Sequence, residues 1–121
     1  MTNVRNIAYI AGFLVAMALT PQLQAQQGPT PLGAPLPQWS REIGEHRFRA
    51  PSNWSQTQTW FNRNYNARQF PRIRIVNQPG IKAIHLANRT GRGDWSGMNI
   101  YELENGEVRI FVLRRADPPT G

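Results

Sequence analysis

Residues 98–113 read MNIYELENGEVRIFVL, and they carry the strongest secondary-structure signal in the chain. Asn105-Gly106 lies between two runs that alternate apolar and polar residues, which is the strongest short hairpin signal in a sequence. A two-residue type I′ loop at this dipeptide pairs Glu104 with Glu107, so that paired positions sum to 211. The sequence therefore predicts an antiparallel hairpin of strands 97–104 and 107–114.

This register predicts apolar side chains on both faces of the hairpin. One face would carry Tyr101, Leu103, Val108, Ile110 and Val112, and the other Met98, Ile100, Phe111 and Leu113. Glu102 would face Arg109 nearer the turn. A sheet that is packed on one side only alternates more cleanly than this. We therefore expect a helix over one face. The segment with Trp39 and Phe48, a partner, or self-association through this second apolar face would cover the other.

The remaining pattern predicts an α+β domain over residues 38–116, followed by a frayed tail at 117–121. Residues 72–76 and 81–87 alternate as strands, and 43–49 could form another short strand. Ser55 and Gln58 form a capping-box pattern before a helix over 56–67 with an aromatic stripe. The expected architecture is one short helix packed on an antiparallel sheet of about four strands.

Residues 1–25 have the pattern of a signal peptide. Arg5 precedes an apolar run over 7–19, and Pro21 and Ala25 follow as helix breaker and small cleavage-site residue. That run has 13 residues, whereas a membrane-spanning helix needs about 20. We expect cleavage near Ala25, no transmembrane span afterwards, and a secreted or periplasmic protein, with a retained anchor as the alternative.

Residues 26–37 contain four Pro and two Gly with no periodic apolar pattern. This composition is typical of an extended, mobile tether, and a Pro-rich ligand for a partner domain is the alternative.

The composition excludes several kinds of chemistry. The chain has no Cys, so it has no disulfide, thiol nucleophile or Cys-based zinc site. It has two His and seven acidic residues, with no metal-ligand spacing, nucleophile elbow or phosphate-binding Gly loop. We therefore expect neither a metal nor a cofactor.

His85 and Glu102 are the only candidates for acid–base catalysis, and each has a simpler explanation. His85 could be an ordinary sheet histidine, and Glu102 could serve as the ion-pair partner of Arg109. The small, basic, Cys-free plan is similar in outline to the bacterial guanyl-specific ribonucleases. Their Glu base, His acid and sheet Arg residues would correspond here to Glu102, His85 and the Arg set. The order departs from that family, because its acid His lies near the C-terminus whereas His85 precedes Glu102.

The strongest functional signal is positive charge, since the chain carries +7 and 13 of its 14 cations lie after residue 25. Arg72 and Arg74 project from one strand face, and Arg89 and Arg92 follow in a Gly-rich stretch, which makes these four the expected anion-binding residues. Arg92-Gly93-Asp94 also matches the tripeptide of integrin ligands, a match that is short enough to arise by chance.

The chain is strongly basic and has no recognisable set of catalytic residues. This combination favours an exported, non-enzymatic binding or accessory domain. Its partner would be an anionic polymer, a lipid headgroup, nucleic acid or an acidic protein. A small secreted nuclease that uses His85 and Glu102 is the alternative.

Overall fold

A computed structural model of the protein describes residues 27–78 and 81–117. The sequence-predicted signal peptide and the last residues of the tail lie outside this part. The described elements follow the order β1 (Arg41–Gly44), β2 (Arg47–Arg49), α1 (Trp54–Asn64), β3 (Arg72–Gln78), β4 (Ile81–Ala87), β5 (Trp95–Glu102) and β6 (Val108–Arg114). A short 3₁₀ turn, Pro31–Gly33, precedes them.

The strands form one antiparallel sheet of order β1-β2-β6-β5-β4-β3, with α1 packed on it. The α+β class with a single helix agrees with the sequence prediction for the described residues, but the sheet has six strands rather than about four. Part of the difference comes from the segment 41–49, where the sequence predicted one short strand over 43–49 and the structure has two. His46 adopts a left-handed φ of 57° there, which reverses the chain and makes a two-stranded hairpin.

The helix begins two residues earlier than its sequence pattern predicts. The side-chain oxygen of Asn53 accepts a hydrogen bond from the Gln56 amide at 2.9 Å, so Asn53 rather than Ser55 is the N-cap. The helix ends at Asn64 because Tyr65 adopts an extended conformation. Phe61 and Tyr65 are buried against the sheet.

The register of the β5–β6 hairpin differs from the prediction by one residue. Ile100 pairs with Ile110 and Met98 with Val112, so paired positions sum to 210. The loop has three residues, 104–106, because the Gly106 amide donates to the Leu103 carbonyl at 2.9 Å. Gly106 alone in this loop has a positive φ, of 88°, as in a loop that ends in a left-handed Gly and not in a type I′ turn.

A one-residue change of register moves every side chain of one strand to the opposite face. The described structure places Met98, Ile100, Val108, Ile110 and Val112 together on one face, each at most 1% exposed. The other face receives partly exposed residues: Asn99, Tyr101, Arg109, Phe111 and Leu113. The prediction of a hairpin with two apolar faces is therefore wrong, and so is the predicted pairing of Glu102 with Arg109. Phe48 joins the buried face, whereas Trp39 is exposed.

The Pro-rich segment differs from a mobile tether in the part that the structure describes. Ala34 and Leu36 are buried in the core cluster together with residues of α1 and the sheet. The Leu36 amide donates to the Pro29 carbonyl at 2.9 Å, and the Tyr65 hydroxyl donates to the Pro35 carbonyl at 2.5 Å. The segment therefore covers the same face of the sheet as the helix does.

Gly106→Val should lower the free energy of unfolding by about 1–3 kcal/mol, because a β-branched residue is strained at positive φ. No atom outside its neighbours lies within 4 Å of the added Cβ, so the effect is conformational. Gly33→Val should also destabilise, since Gly33 has a φ of 86° and its Cβ would lie 3.3 Å from the Gly93 Cα. Urea unfolding measures both changes.

Gly44→Ala is the control, because Gly44 lies in extended backbone with only ordinary contacts at its Cβ position. Its midpoint should stay close to that of the wild type. If Gly106→Val unfolded with the wild type, the left-handed loop would be contradicted.

Candidate functional site

The sheet has one covered face and one face over which no described element packs. Helix α1 and the segment 27–37 lie on the covered face with the buried core. We call the opposite side the open face. By strand register its residues include Arg41, Arg47, Arg49, Ile73, His85, Asn99, Tyr101, Glu107, Arg109 and Phe111. These side chains are all partly or fully exposed, so the open face is a surface available for binding.

One row of residues crosses five neighbouring strands of the open face. It runs Ile73, His85, Asn99, Phe111 and Arg47. The Nδ1 atom of His85 lies 2.8 Å from the Asn99 side-chain oxygen. Because an amide oxygen only accepts, this contact requires a proton on Nδ1. At the other end, the Arg47 guanidinium carbon lies 4.7 Å from the centroid of the Phe111 ring, a cation–π contact.

A second row places three arginines on adjacent strands beside Tyr101. Arg41 pairs with Arg49, and Arg49 pairs with Arg109. Glu107 contacts two of them, at 3.3 Å from Arg49 and 2.8 Å from Arg109. The hydrogen bond from Arg109 is the main cause that lowers the pKa of the Glu107 carboxyl. One carboxylate is thus shared by two guanidinium groups, and positive charge remains in excess along this row.

The sheet separates His85 and Glu102, the two residues of the catalytic alternative. His85 lies on the open face opposite Asn99, whereas Glu102 lies on the covered side, opposite Lys82 and Val108 in register. Glu107 does share the open face with His85, but it precedes β6 and lies four residues before Phe111, about 14 Å at the usual strand rise. Neither Glu102 nor Glu107 is therefore placed to work with His85.

The imidazole of His85 lies against the backbone of Gly97 on the neighbouring strand. A Cβ at Gly97 would come within 2.8 Å of His85 Cε1 and 2.9 Å of Nε2. A Cβ atom essentially never makes a contact this short, so the absence of a side chain at Gly97 provides the space that the ring occupies. Together with the Asn99 contact, this fixes the position of the ring.

The four arginines that the sequence marked for anion binding do not form one patch on the open face. Arg72 donates hydrogen bonds to three carbonyls, those of Phe70, Phe61 and Tyr65, at 2.8, 3.0 and 2.5 Å. Arg72 therefore satisfies backbone carbonyls at the C-terminal end of α1, and burial lowers the pKa of its guanidinium. By strand register Arg74 lies on the same side of the sheet as α1, but its side chain is exposed to solvent. Arg89 and Arg92 are exposed in the loop between β4 and β5.

That loop is organised by its own side chains. The Asn88 side-chain amide donates to the carbonyls of Arg92 and Trp95 at 2.8 and 2.9 Å. Gly93, the middle residue of the Arg-Gly-Asp tripeptide, has a φ of 75°. These contacts explain the loop conformation without a partner.

The four arginines predicted from the sequence to bind anions do not include those that the fold gathers. If residues 43–49 are extended, the alternation Arg47-Phe48-Arg49 puts two arginines on one face of that strand. Their neighbours could be identified only with the correct hairpin register, which places Arg109 beside Arg49 instead of opposite Glu102.

Two further features bear on the kind of site. Within residues 27–78 and 81–117, no group of three or more His, Asp or Glu residues could hold a metal ion. Among the helices of that part, none is long and apolar enough to cross a membrane.

Arg72→Met should lower the free energy of unfolding by about 2–4 kcal/mol, because it leaves carbonyls at the end of α1 without their charged donor. Arg74→Met, two residues along the same strand face, should change it by less than about 0.5 kcal/mol. Urea unfolding of the two variants compares them directly. Equal stability would contradict the structural assignment of Arg72.

Gly97→Ala should destabilise by about 1–3 kcal/mol, because the methyl group meets the His85 ring and the Leu86 carbonyl. Adding His85→Ala should recover part of that loss, since only the backbone contact then remains. A double-mutant cycle measured by thermal unfolding gives the coupling. Additive effects of the two changes would contradict the packing of His85 on Gly97.

No protein-family model, curated protein or solved structure matches the chain.

Proposed function

We propose that this protein is a non-enzymatic binding module whose open face engages a linear polyanion. The observation that carries the proposal is the set of arginines on three adjacent strands, Arg41, Arg49 and Arg109, with Arg47 beside them and one shared carboxylate. The whole chain carries a net charge of +7, which adds a long-range attraction for anions.

The spacing of the row favours a polymer over a compact anion. Neighbouring strands lie about 4.8 Å apart, so three adjacent strands extend over about 10 Å. Guanidinium groups bind phosphate, sulfate or carboxylate through paired donors, and successive anionic groups of one polymer could meet successive arginines. Tyr101 and Phe111 add flat apolar surface beside this row.

The predicted signal peptide would bring this face outside the cytoplasm. An anionic envelope polymer, a lipid headgroup layer, nucleic acid and an acidic protein all offer repeated negative charge. The geometry favours the linear members of this group, because the arginines form a row on a sheet and not the wall of a pocket.

The proposal contains no chemical step. The nuclease alternative requires His85 and a carboxylate within hydrogen-bonding distance of one substrate. His85 and Glu102 lie on opposite faces of the sheet, so no observation favours that function.

The double variant Arg41→Gln/Arg47→Gln tests the open face, because neither residue forms an ion pair with a described carboxylate. On immobilised heparin, and with a single-stranded oligonucleotide in solution, it should bind more weakly than the wild type. For the oligonucleotide, losing two phosphate contacts should reduce the slope of log K against log salt by about 1.4.

The matched control is Arg63→Gln/Arg68→Gln, which removes the same charge from exposed positions in α1 and the loop after it. If the two double variants elute together, retention reflects net charge alone and the open-face proposal is wrong. Elution of the wild type at very low salt contradicts it as well.

A further inference from the structure

A concave surface lies on the covered side of the sheet, between the Pro-rich segment and helix α1. It has a volume of about 800 Å³, within the usual range for ligand sites. One wall is backbone and side chains of residues 27–39, and the other is a helix face. Gln56, Trp60 and Asn64 follow one another at intervals of four along that face.

This groove is uncharged in a strongly basic protein. Among the described residues that line it there is no Asp, Glu, Lys, Arg or His, and their polar side-chain groups are amides, hydroxyls and indole N–H groups. The adjoining concave surface shares Trp39 but is lined by Arg41, Arg49 and Glu107. Charged side chains therefore border the neutral groove without entering it.

Trp39 lines the groove, and neither its exposure nor its backbone conformation favours the stability of the fold. Its side chain is 78% exposed, and its backbone has a left-handed φ of 72°. The Ser40 amide donates to the Pro37 carbonyl at 3.1 Å, which makes Trp39 the third residue of a tight turn. Gly is the residue that a positive φ favours there. A bulky aromatic at this site is both strained and unburied, and strain of this kind is concentrated at functional sites.

We propose that this groove binds a neutral oligosaccharide, with a sugar ring stacked on Trp39. The C–H groups on one face of a pyranose ring pack well against the electron-rich face of an indole. Sugar hydroxyls both donate and accept hydrogen bonds, and amide side chains do the same. A charged lining would lose its hydration without gaining a partner from such a ligand.

The groove offers polar atoms that the fold does not use. Within the described residues, the side chain of Gln56 has no hydrogen-bond partner. Asn64 donates through Nδ2 to the Trp60 carbonyl at 2.8 Å, which leaves its side-chain oxygen to accept from a sugar hydroxyl. These two side chains flank Trp60 on the same helix face.

The test measures binding of uncharged oligosaccharides to the full chain by calorimetry and tryptophan fluorescence. The probes are cellohexaose, hexa-N-acetylchitohexaose, xylohexaose and mannohexaose. At least one should bind, with an affinity that is almost the same at about 0.05 and 0.5 M NaCl, because no charge is screened. Failure of all four to bind at millimolar concentration would overturn the proposal.

Trp39→Gly is the decisive variant, since it removes the aromatic platform and relieves the backbone strain together. It should weaken sugar binding by at least about tenfold while the melting temperature stays the same or rises. Trp60 is unsuitable because its ring contacts Phe61 and Tyr65 in the core. A lowered melting temperature for Trp39→Gly, or unchanged sugar binding, would contradict the proposal.

Arg41→Gln/Arg47→Gln is the second arm, and it separates this proposal from the open-face one. It should bind polyanions more weakly and keep the sugar affinity of the wild type. Sugar binding lost with these arginines would overturn the neutral-groove proposal. Polyanion binding kept in this variant would contradict only the open-face proposal.

Discussion

The burial of Tyr65 joins the three parts of this protein. Its ring stacks on Phe61 of α1 at 5.7 Å and meets Trp95 of β5 edge-on at 5.8 Å. Its hydroxyl donates to the Pro35 carbonyl of the N-terminal segment. Burial raises the pKa of this hydroxyl, so it stays protonated and remains a donor. Arg72 holds the Tyr65 carbonyl as well, which fixes the chain where the helix ends. Helix, sheet and Pro-rich segment therefore depend on one side chain and its surroundings.

Both covering elements lie on the same side of the sheet, and the properties of the open face follow from that. Without a cover, its side chains must tolerate water, so arginines, Asn99 and His85 are interleaved with Tyr101 and Phe111. Arg47 packs its guanidinium on Phe111, which shields an aromatic ring and keeps a positive charge at the surface. The same packing that stabilises the exposed face also orders its cations.

Charged and neutral surfaces meet at the segment that carries Trp39 and Arg41. Trp39 borders the uncharged groove on one side and the arginine-lined surface on the other. The two proposed binding modes can be told apart by salt, because the arginine row depends on ionic strength and the uncharged groove does not.

The α+β class, the single helix and the presence of the 98–113 hairpin could be predicted from the amino-acid pattern alone. These depend on local alternation, capping and turn residues, which act within a few positions. The hairpin register, the burial of Ala34 and Leu36, and the role of Arg72 as a helix-terminal donor depend on long-range packing and could not be predicted in this way. Asn-Gly is compatible with a loop of either two or three residues, and the three-residue loop is the one that places the apolar residues of both strands in one buried cluster. Since side chains alternate with a period of two, the one-residue difference in register determines which arginines share the open face.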